Sequence, residues 1–230
     1  MAYQILFRNN SPISFDDVSR AVSEFGDSYA KTVQKIISNT DRPDLDKTLF
    51  LKNCAILLAN FKMTRAGSFK GIGVDDSNGK VLDPNKKLEG AWERIGKNLV
   101  SLKGFLSRAG LKPRSRTLLL LDEASRKDVV GEVWNIFKKL LPVTMSSNSF
   151  GLVGASKILF SVFPEIALPI DNAEWRTVFK TVDFGDVIHL MADEIAQWEK
   201  IKGGQLQNSD KSGLATLPSV YNVMAMTART

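Results

Sequence analysis

The sequence predicts a mainly α-helical protein, a single-domain bundle of about eight helices. Apolar residues recur at three- and four-residue spacing along most of the chain from Ser14 onwards. Capping residues precede many of these stretches, and glycine or proline follows them. Of the 230 residues, 43% are hydrophobic and 24% are charged, which is typical of a globular protein with a core.

The composition also excludes several kinds of site. The chain has one cysteine, Cys54, and one histidine, His189, so it predicts no intrachain disulfide, no cysteine-rich zinc site and no multi-histidine metal centre. We expect neither a metal nor a cofactor. The apolar runs are too short to cross a bilayer, and the first residues lack the pattern of a signal peptide. These features favour an intracellular protein, located in the cytoplasm or in the nucleus or nucleoid, with no membrane partner.

Three helices are predicted in the first part of the chain, at 14–25, 27–38 and 43–63. Ser14 and Asp27 are the expected caps of the first two, and Pro43 suits the first turn of the third. The segment 66–84 is rich in Gly, Asp, Ser and Asn, which predicts a long loop with room for a small hairpin across 76–79.

The fourth predicted helix, 88–109, is amphipathic, with one apolar face and one basic face. Residues 117–122 fit either a short strand or a buried helical turn. Four more helices are predicted at 125–141, 153–163 and 171–180, and from either Asp183 or Asp186 to about 204. Pro142 is expected to end the first of these. The helical domain then spans 1–204, and the small, polar residues of 205–230 predict a largely irregular C-terminal tail.

The positive charge of the chain is concentrated in one segment. Residues 86–116 hold nine basic and two acidic residues, so this segment carries +7 and the rest of the chain −1. A local positive field attracts polyanions, which predicts a nucleic-acid surface made of Arg94, Lys97, Lys103, Arg108, Lys112, Arg114 and Arg116. The alternative is a solvated helix face followed by a basic loop.

A second region, 150–178, carries a recognisable motif. Gly151 and Gly154 form a glycine turn, Lys157 follows in the next helix, and a proline-containing loop leads to Asp171 at the head of another helix. Over these thirty or so residues the chain resembles the helix-hairpin-helix DNA glycosylase superfamily. It departs from that pattern in its Gly-x-x-Gly spacing and in Asn172-Ala173, where the family has Thr-His.

The resemblance implies a role for each of these residues. The backbone amides at Gly151 and Gly154 would hold a DNA phosphate, Lys157 would be the nucleophile that attacks the sugar, and Asp171 would be the catalytic acid. The chemistry is coherent because a carboxylate can stabilise positive charge that develops on a sugar. Helix amides can bind phosphate.

Both catalytic candidates also have structural interpretations. Asp171 with Glu174 fits a helix capping box. Lys157 fits a side chain whose stem covers Leu159 and Phe160 while its amine stays in water. His189 and Cys54 are expected to be structural.

Two functions of different classes follow. The leading hypothesis is a helical DNA-associated protein, with base excision through Lys157 and Asp171 as its enzymatic form. The second is a non-catalytic interaction module whose basic face binds an acidic protein partner. A third, an enzyme with its site in 66–84, lacks a set of acid, base and nucleophile. The sequence leaves the oligomeric state open.

Overall fold

A computed structural model describes residues 4–41, 44–108, 116–146, 149–210 and 216–228. The structure is 68% helical, which confirms the mainly α class. The helices within the described residues are α1 Phe15–Glu24, α2 Asp27–Thr40, α3 Lys47–Asn60, α4 Lys87–Arg108, α5 Thr117–Leu120, α6 Glu123–Thr144, α7 Leu152–Phe160, α8 Asn172–Glu174, α9 Phe184–Lys202 and α10 Leu217–Thr227. No helix of this part of the chain is long and apolar enough to span a membrane.

Two small antiparallel hairpins accompany the helices. Strand β1 (Phe7–Arg8) pairs with β2 (Ser11–Pro12), and β3 (Gly73–Val74) pairs with β4 (Val81–Leu82). The second pair confirms the small hairpin predicted within 66–84. The first pair was not predicted, because two-residue strands are too short to show an alternating apolar pattern.

Side-chain caps set the starts of several helices. The Ser14 hydroxyl accepts a hydrogen bond from the Asp17 amide at 3.1 Å, as predicted for α1. The Asp46 carboxylate accepts from the Leu49 amide at 2.7 Å and begins α3. The predicted start of this helix at Pro43 is therefore wrong by several residues, and Pro43 itself lies outside the described residues. The capping carboxylate determines the start because it provides an acceptor for a free amide of the first turn.

Helix α6 runs through Pro142 to Thr144, so the predicted end at this proline is wrong. A proline costs most in a helix interior, where its ring and its missing N–H disturb the preceding turn. Here the helix continues for only two residues, and the Met145 amide still bonds to the Leu141 carbonyl at 2.9 Å. Burial of Val143 and Thr144 offsets the cost.

The segment after Gly204 is more regular than predicted. A 3-10 turn covers Leu206–Ser209, and α10 is an eleven-residue helix, opened by a capping box between Thr216 and Ser219, that packs against α1. The expectation of a largely irregular tail is therefore wrong for this helix. Its polar residues misled the prediction, because Ser219 and Asn222 are buried rather than solvated.

The centre of the fold is α6, which packs against α4, α7 and α9. Residues 117–122, which fitted either a strand or a helical turn, form the one-turn helix α5. In the core, the Phe137 ring on α6 stacks on the Phe184 ring of α9 at a centroid distance of 4.5 Å. Helix α7 lies between α3 and α6, and this position buries the motif that begins at Gly151.

Candidate functional site

The glycine turn joins α6 to α7 through a backbone conformation that favours glycine. Gly151 has φ of 80°, and its carbonyl accepts a hydrogen bond from the Thr144 hydroxyl at 2.8 Å. A Cβ atom at Gly151 would lie 2.5 Å from Thr144 Oγ1, closer than van der Waals contact allows. Two constraints therefore require glycine at this position, the backbone conformation and the close packing.

The second glycine is required by packing alone. A Cβ atom at Gly154 would lie 2.7 Å from the Phe69 ring. Phe69 belongs to the segment 61–70, which follows α3, contains two short 3-10 turns and lies along α7. The predicted binding of a phosphate by the amides at Gly151 and Gly154 stays a prediction, because close packing gives both glycines a sufficient structural reason.

The turn directs Lys157 into the interior, where it meets Asp171. The Lys157 side chain is 1% exposed, and its Nζ atom donates to Oδ1 of Asp171. The same amine lies 3.5 Å from the centroid of the Phe61 ring, in cation–π contact. The interpretation in which the amine of Lys157 stays in water is therefore wrong. The motif brings its two catalytic candidates into direct contact.

Asp171 occupies the N-cap position of α8 and remains one-third exposed. Its side chain forms a capping box with Glu174, whose Oε2 accepts from the Asp171 amide at 3.1 Å. The capping interpretation of Asp171 is thus confirmed, and the contact with Lys157 is present at the same time. A π-helical turn, Trp175–Phe179, follows α8 directly.

A third polar group lies close to this pair. The Tyr29 ring packs edge-to-face on Phe61 at 5.8 Å, and its hydroxyl is buried without a hydrogen-bond partner among the described residues. Burial raises the pKa of Tyr29, and the negative charge of Asp171 raises it further. We call the group of Lys157, Asp171, Phe61 and Tyr29 the lysine chamber.

The exposed face of α4 retains only part of the predicted basic surface. Arg94, Lys97 and Arg108 are exposed there, next to the partly exposed apolar side chains of Val100 and Phe105. Lys112 and Arg114 lie outside the described residues. The other two predicted members, Lys103 and Arg116, have different surroundings.

Lys103 does not belong to an exposed basic face. Its side chain is buried, and its Nζ atom donates to the Thr40 carbonyl at the end of α2, at 2.8 Å. A cation at a helix C-terminus satisfies a carbonyl that has no partner within the helix. This position corrects the prediction that Lys103 binds nucleic acid, because a buried amine cannot reach a phosphate backbone.

Arg116 is also engaged within the protein. Both of its terminal nitrogens contact the Glu199 carboxylate on α9, with Nη1 at 2.7 Å from Oε1. Both side chains are mostly buried, at 18% and 12% exposed. The carboxylate neutralises the guanidinium, so the predicted contribution of Arg116 to a positive surface is corrected as well.

The exposed cations of α4 do not converge on the lysine chamber. The Lys87 amine donates to the Val143 carbonyl at 3.4 Å, and the Asn98 amide to Glu132 at 2.8 Å, so α4 runs antiparallel to α6. Only the first turn of α4 therefore lies near the glycine turn that follows α6. Arg94, Lys97 and Arg108 follow in later turns of α4 and therefore lie further from the glycine turn.

A different set of cations lies beside the motif. Lys62, Arg65 and Lys70 are exposed on the segment 61–70, whose aromatic residues contact α7. The sequence prediction missed them because they are dispersed and because 86–116 carries more charge. One signal could have found them, since residues 62–74 contain three basic and no acidic side chains.

Among the described residues, no group of three or more His, Cys, Asp or Glu side chains is placed to hold a metal ion. Comparison with protein-family models, with curated proteins and with solved structures gives no match. The fold and the site define a mainly α-helical protein in which a buried lysine contacts a partly exposed aspartate next to a close-packed glycine turn.

Proposed function

We propose that this is a DNA-associated helical protein in which Lys157 and Asp171 are the reacting pair of a base-excision site. The observation that carries the proposal is the contact between Lys157 Nζ and Asp171 Oδ1. The two residues come from different helices, and the resemblance to the helix-hairpin-helix DNA glycosylases assigns catalysis to these same two positions.

The pair supplies the groups that a lyase step needs. Transfer of a proton from Lys157 to Asp171 leaves a neutral amine as the nucleophile. This amine attacks the C1′ aldehyde of an abasic sugar and forms a carbinolamine. Loss of water, with a proton returned by Asp171, gives an imine between lysine and sugar. The two residues thus exchange the roles of acid and base.

Access to the amine is through the exposed side of Asp171. Lys157 is almost fully buried, and the Phe61 ring covers its amine. A lysine has a long, flexible stem, so rotation of its terminal bonds moves the amine past Asp171 towards solvent. A damaged nucleotide must also leave its duplex stack to reach this depth.

Borohydride trapping tests the proposal. Borohydride reduces the lysine–sugar imine to a stable amine, so the wild-type protein should become covalently linked to an abasic oligonucleotide. Lys157→Met should abolish the link, and Asp171→Asn should slow it by about 10²-fold or more. Lys31→Met, at an exposed position of α2, is the matched control and should trap as well as the wild type. Trapping that survives in folded Lys157→Met contradicts the assignment.

A second function is favoured by the exposed face of α4. Val100 and Phe105 are 45% and 39% exposed beside Arg94 and Lys97, and this mixture suits an acidic protein partner with apolar side chains. Purification without nuclease separates the two functions. Bound nucleic acid, detected by its absorbance ratio, supports the first, whereas an acidic protein that is lost on Lys97→Glu supports the second.

A further inference from the structure

Phe150 is displayed on the surface immediately before the glycine turn. Its side chain is 81% exposed, the highest value among the large apolar side chains of the described residues. Its neighbours are held in place, because Ser146 and Ser149 exchange two backbone hydrogen bonds of 3.1 Å and the Gly151 amide donates to the Ser149 hydroxyl at 3.2 Å. A single exposed apolar side chain is common on protein surfaces, so the significance of Phe150 depends on the residues around it.

A cavity of about 230 Å³ lies beside Ser149, the residue that precedes Phe150. It is lined by Ser146 and Ser149, by Val153 and Gly154 of α7, and by Gly67 and Ser68 of the segment 61–70. The Ser68 hydroxyl donates to the Met145 carbonyl at 3.2 Å and thereby joins that segment to the turn. Ser149 and the segment 61–70 therefore line the same cavity, and we treat them with the adjacent Phe150 as one face.

The segment 61–70, which lines this cavity, also carries three exposed cations. Lys62, Arg65 and Lys70 are exposed, and none forms an ion pair within 4.0 Å with another described residue. They differ in this respect from Arg116, whose charge is neutralised by Glu199. Cations without a carboxylate partner keep their full attraction for an anionic backbone.

We propose that this face binds single-stranded or locally unpaired nucleic acid, with Phe150 stacked on a base and Lys62, Arg65 and Lys70 along the phosphate backbone. Stacking on an aromatic ring combined with backbone electrostatics is the general mode of single-strand binding. The inference rests on the proposed function, from which it takes nucleic acid as the class of partner. It adds that the bound nucleic acid is single-stranded and says which surface binds it. It does not depend on the reaction at Lys157.

Other anionic partners suit this face less well. A membrane surface takes up a broad apolar face, whereas only Phe150 and Met145 project here as large exposed apolar side chains. A planar base matches a single exposed ring, and a strand of linked phosphates matches cations spaced along one segment. Preferential binding to anionic vesicles would therefore contradict the proposal.

The stacking part is tested by fluorescence anisotropy with a labelled, undamaged single strand of about 12 nucleotides, a length that suits known single-strand sites. Phe150→Ala should weaken binding by about 5- to 30-fold, whereas Phe150→Tyr should bind within about 2-fold of the wild type, because the stacking of one base contributes on the order of 1 to 2 kcal/mol. Leu120→Ala is the matched control, since Leu120 is 65% exposed on α5, which packs against α9 and does not line the cavity. It should bind as the wild type does.

The electrostatic part is tested by repeating the titration between 50 and 200 mM salt. Arg65→Met and Lys70→Met should each lower the slope of log affinity against log salt by about 0.7. Lys31→Met, on α2, should leave that slope unchanged. Absence of strand binding by the wild type, or equal binding by Phe150→Ala, overturns the proposal, as does preferential binding of phosphatidylserine vesicles through Phe150.

The two proposals fail separately. Folded Lys157→Met should lose imine trapping while it keeps the affinity of the wild type for the undamaged strand. If trapping is absent from the wild type but strand binding still depends on Phe150, base excision is wrong and the stacking face stands. If trapping occurs through Lys157 but Phe150→Ala binds and traps as well as the wild type does, the stacking face is wrong and excision stands.

Discussion

The amine of Lys157 lies 3.5 Å from the centroid of the Phe61 ring while it donates to Asp171. Phe61 is the residue that follows α3, so the start of the segment 61–70 covers the amine. The negative face of an aromatic ring attracts a cation most strongly when water is excluded. One residue therefore shields the lysine and helps to hold its charge in the interior.

Replacement of either partner of this pair should destabilise the protein strongly. Lys157→Met leaves the Asp171 carboxylate without its cation, and Asp171→Asn leaves a buried ammonium. Because Asp171 is partly exposed, each change should cost about 2 to 4 kcal/mol, at or below the usual cost of breaking a buried pair. The double variant should cost less than the sum of the two, as urea unfolding would reveal in a double-mutant cycle. Additive costs would mean that the contact contributes no coupling energy.

The stability of the protein should fall as pH rises from about 4.5 towards neutrality because of Glu165. This side chain is 4% exposed, its Oε2 atom has no hydrogen-bond partner among the described residues, and burial raises its pKa to about 7. A backbone hydrogen bond and the charge of Lys103 act in the opposite direction. Since the pKa is higher in the folded state than in the unfolded chain, folding favours the protonated carboxyl. Its stabilising effect is complete at low pH and is lost between about pH 4.5 and pH 7.

The matched variant is Glu165→Gln, which keeps the shape and cannot ionise. At pH 8 it should be more stable than the wild type by roughly 2 to 3 kcal/mol, and the difference should shrink towards pH 5. Urea unfolding at several pH values measures this difference. A wild-type profile that is parallel to the variant's across this range would show that Glu165 is not the source of the pH dependence.

The two glycines of the motif should not tolerate alanine. Gly151→Ala places a Cβ atom 2.5 Å from Thr144 Oγ1 in a backbone with positive φ, so we expect a cost of about 2 kcal/mol or more. Gly154→Ala meets the Phe69 ring and should cost about 1 to 3 kcal/mol. Gly131, on the exposed side of α6 with open space around it, is the control. Gly131→Ala should stabilise the protein by up to about 1 kcal/mol, as thermal unfolding would measure.

Lys103 should matter for stability and not for nucleic-acid binding. Lys103→Met keeps much of the buried stem and removes the donor to the Thr40 carbonyl, which should cost about 1 to 3 kcal/mol. Its affinity for DNA, compared in a salt titration with that of the exposed Lys97→Met variant, should equal the wild-type value. A clear loss of affinity in folded Lys103→Met would contradict the buried position.

Local signals were sufficient at some helix starts, although Asp27, the predicted cap of α2, is its first helical residue and Gly26 occupies the N-cap. Ser14 caps α1 through an amide three residues away, and Asp183 caps α9 in the same way. Capping depends on short-range geometry, so the sequence was sufficient. At Pro142 and in α10 the outcome depended on burial against distant elements. Burial outweighed a missing backbone donor in the first case and a polar composition in the second.

The candidate site shows the same division between local signals and long-range packing. The order of Gly151, Gly154, Lys157 and Asp171 selected the pair that the structure brings together. The basic surface was predicted from the charge of 86–116 and from the amphipathic pattern of α4, and Lys103 was included in it for its charge. Lys103 lies one turn from both Leu99 and Leu106 on the apolar stripe of α4, and that spacing already indicated a buried position.

The sequence by itself determined that the chain is helical, where most of its helices lie and which lysine and aspartate belong to one motif, because these features depend on periodicity and short spacing. Only the tertiary structure decided that Phe61 covers the amine, that Glu199 neutralises Arg116 and that Lys103 donates to the Thr40 carbonyl. These relationships join residues far apart in the chain, and they arise from the packing of whole helices, which no local pattern records.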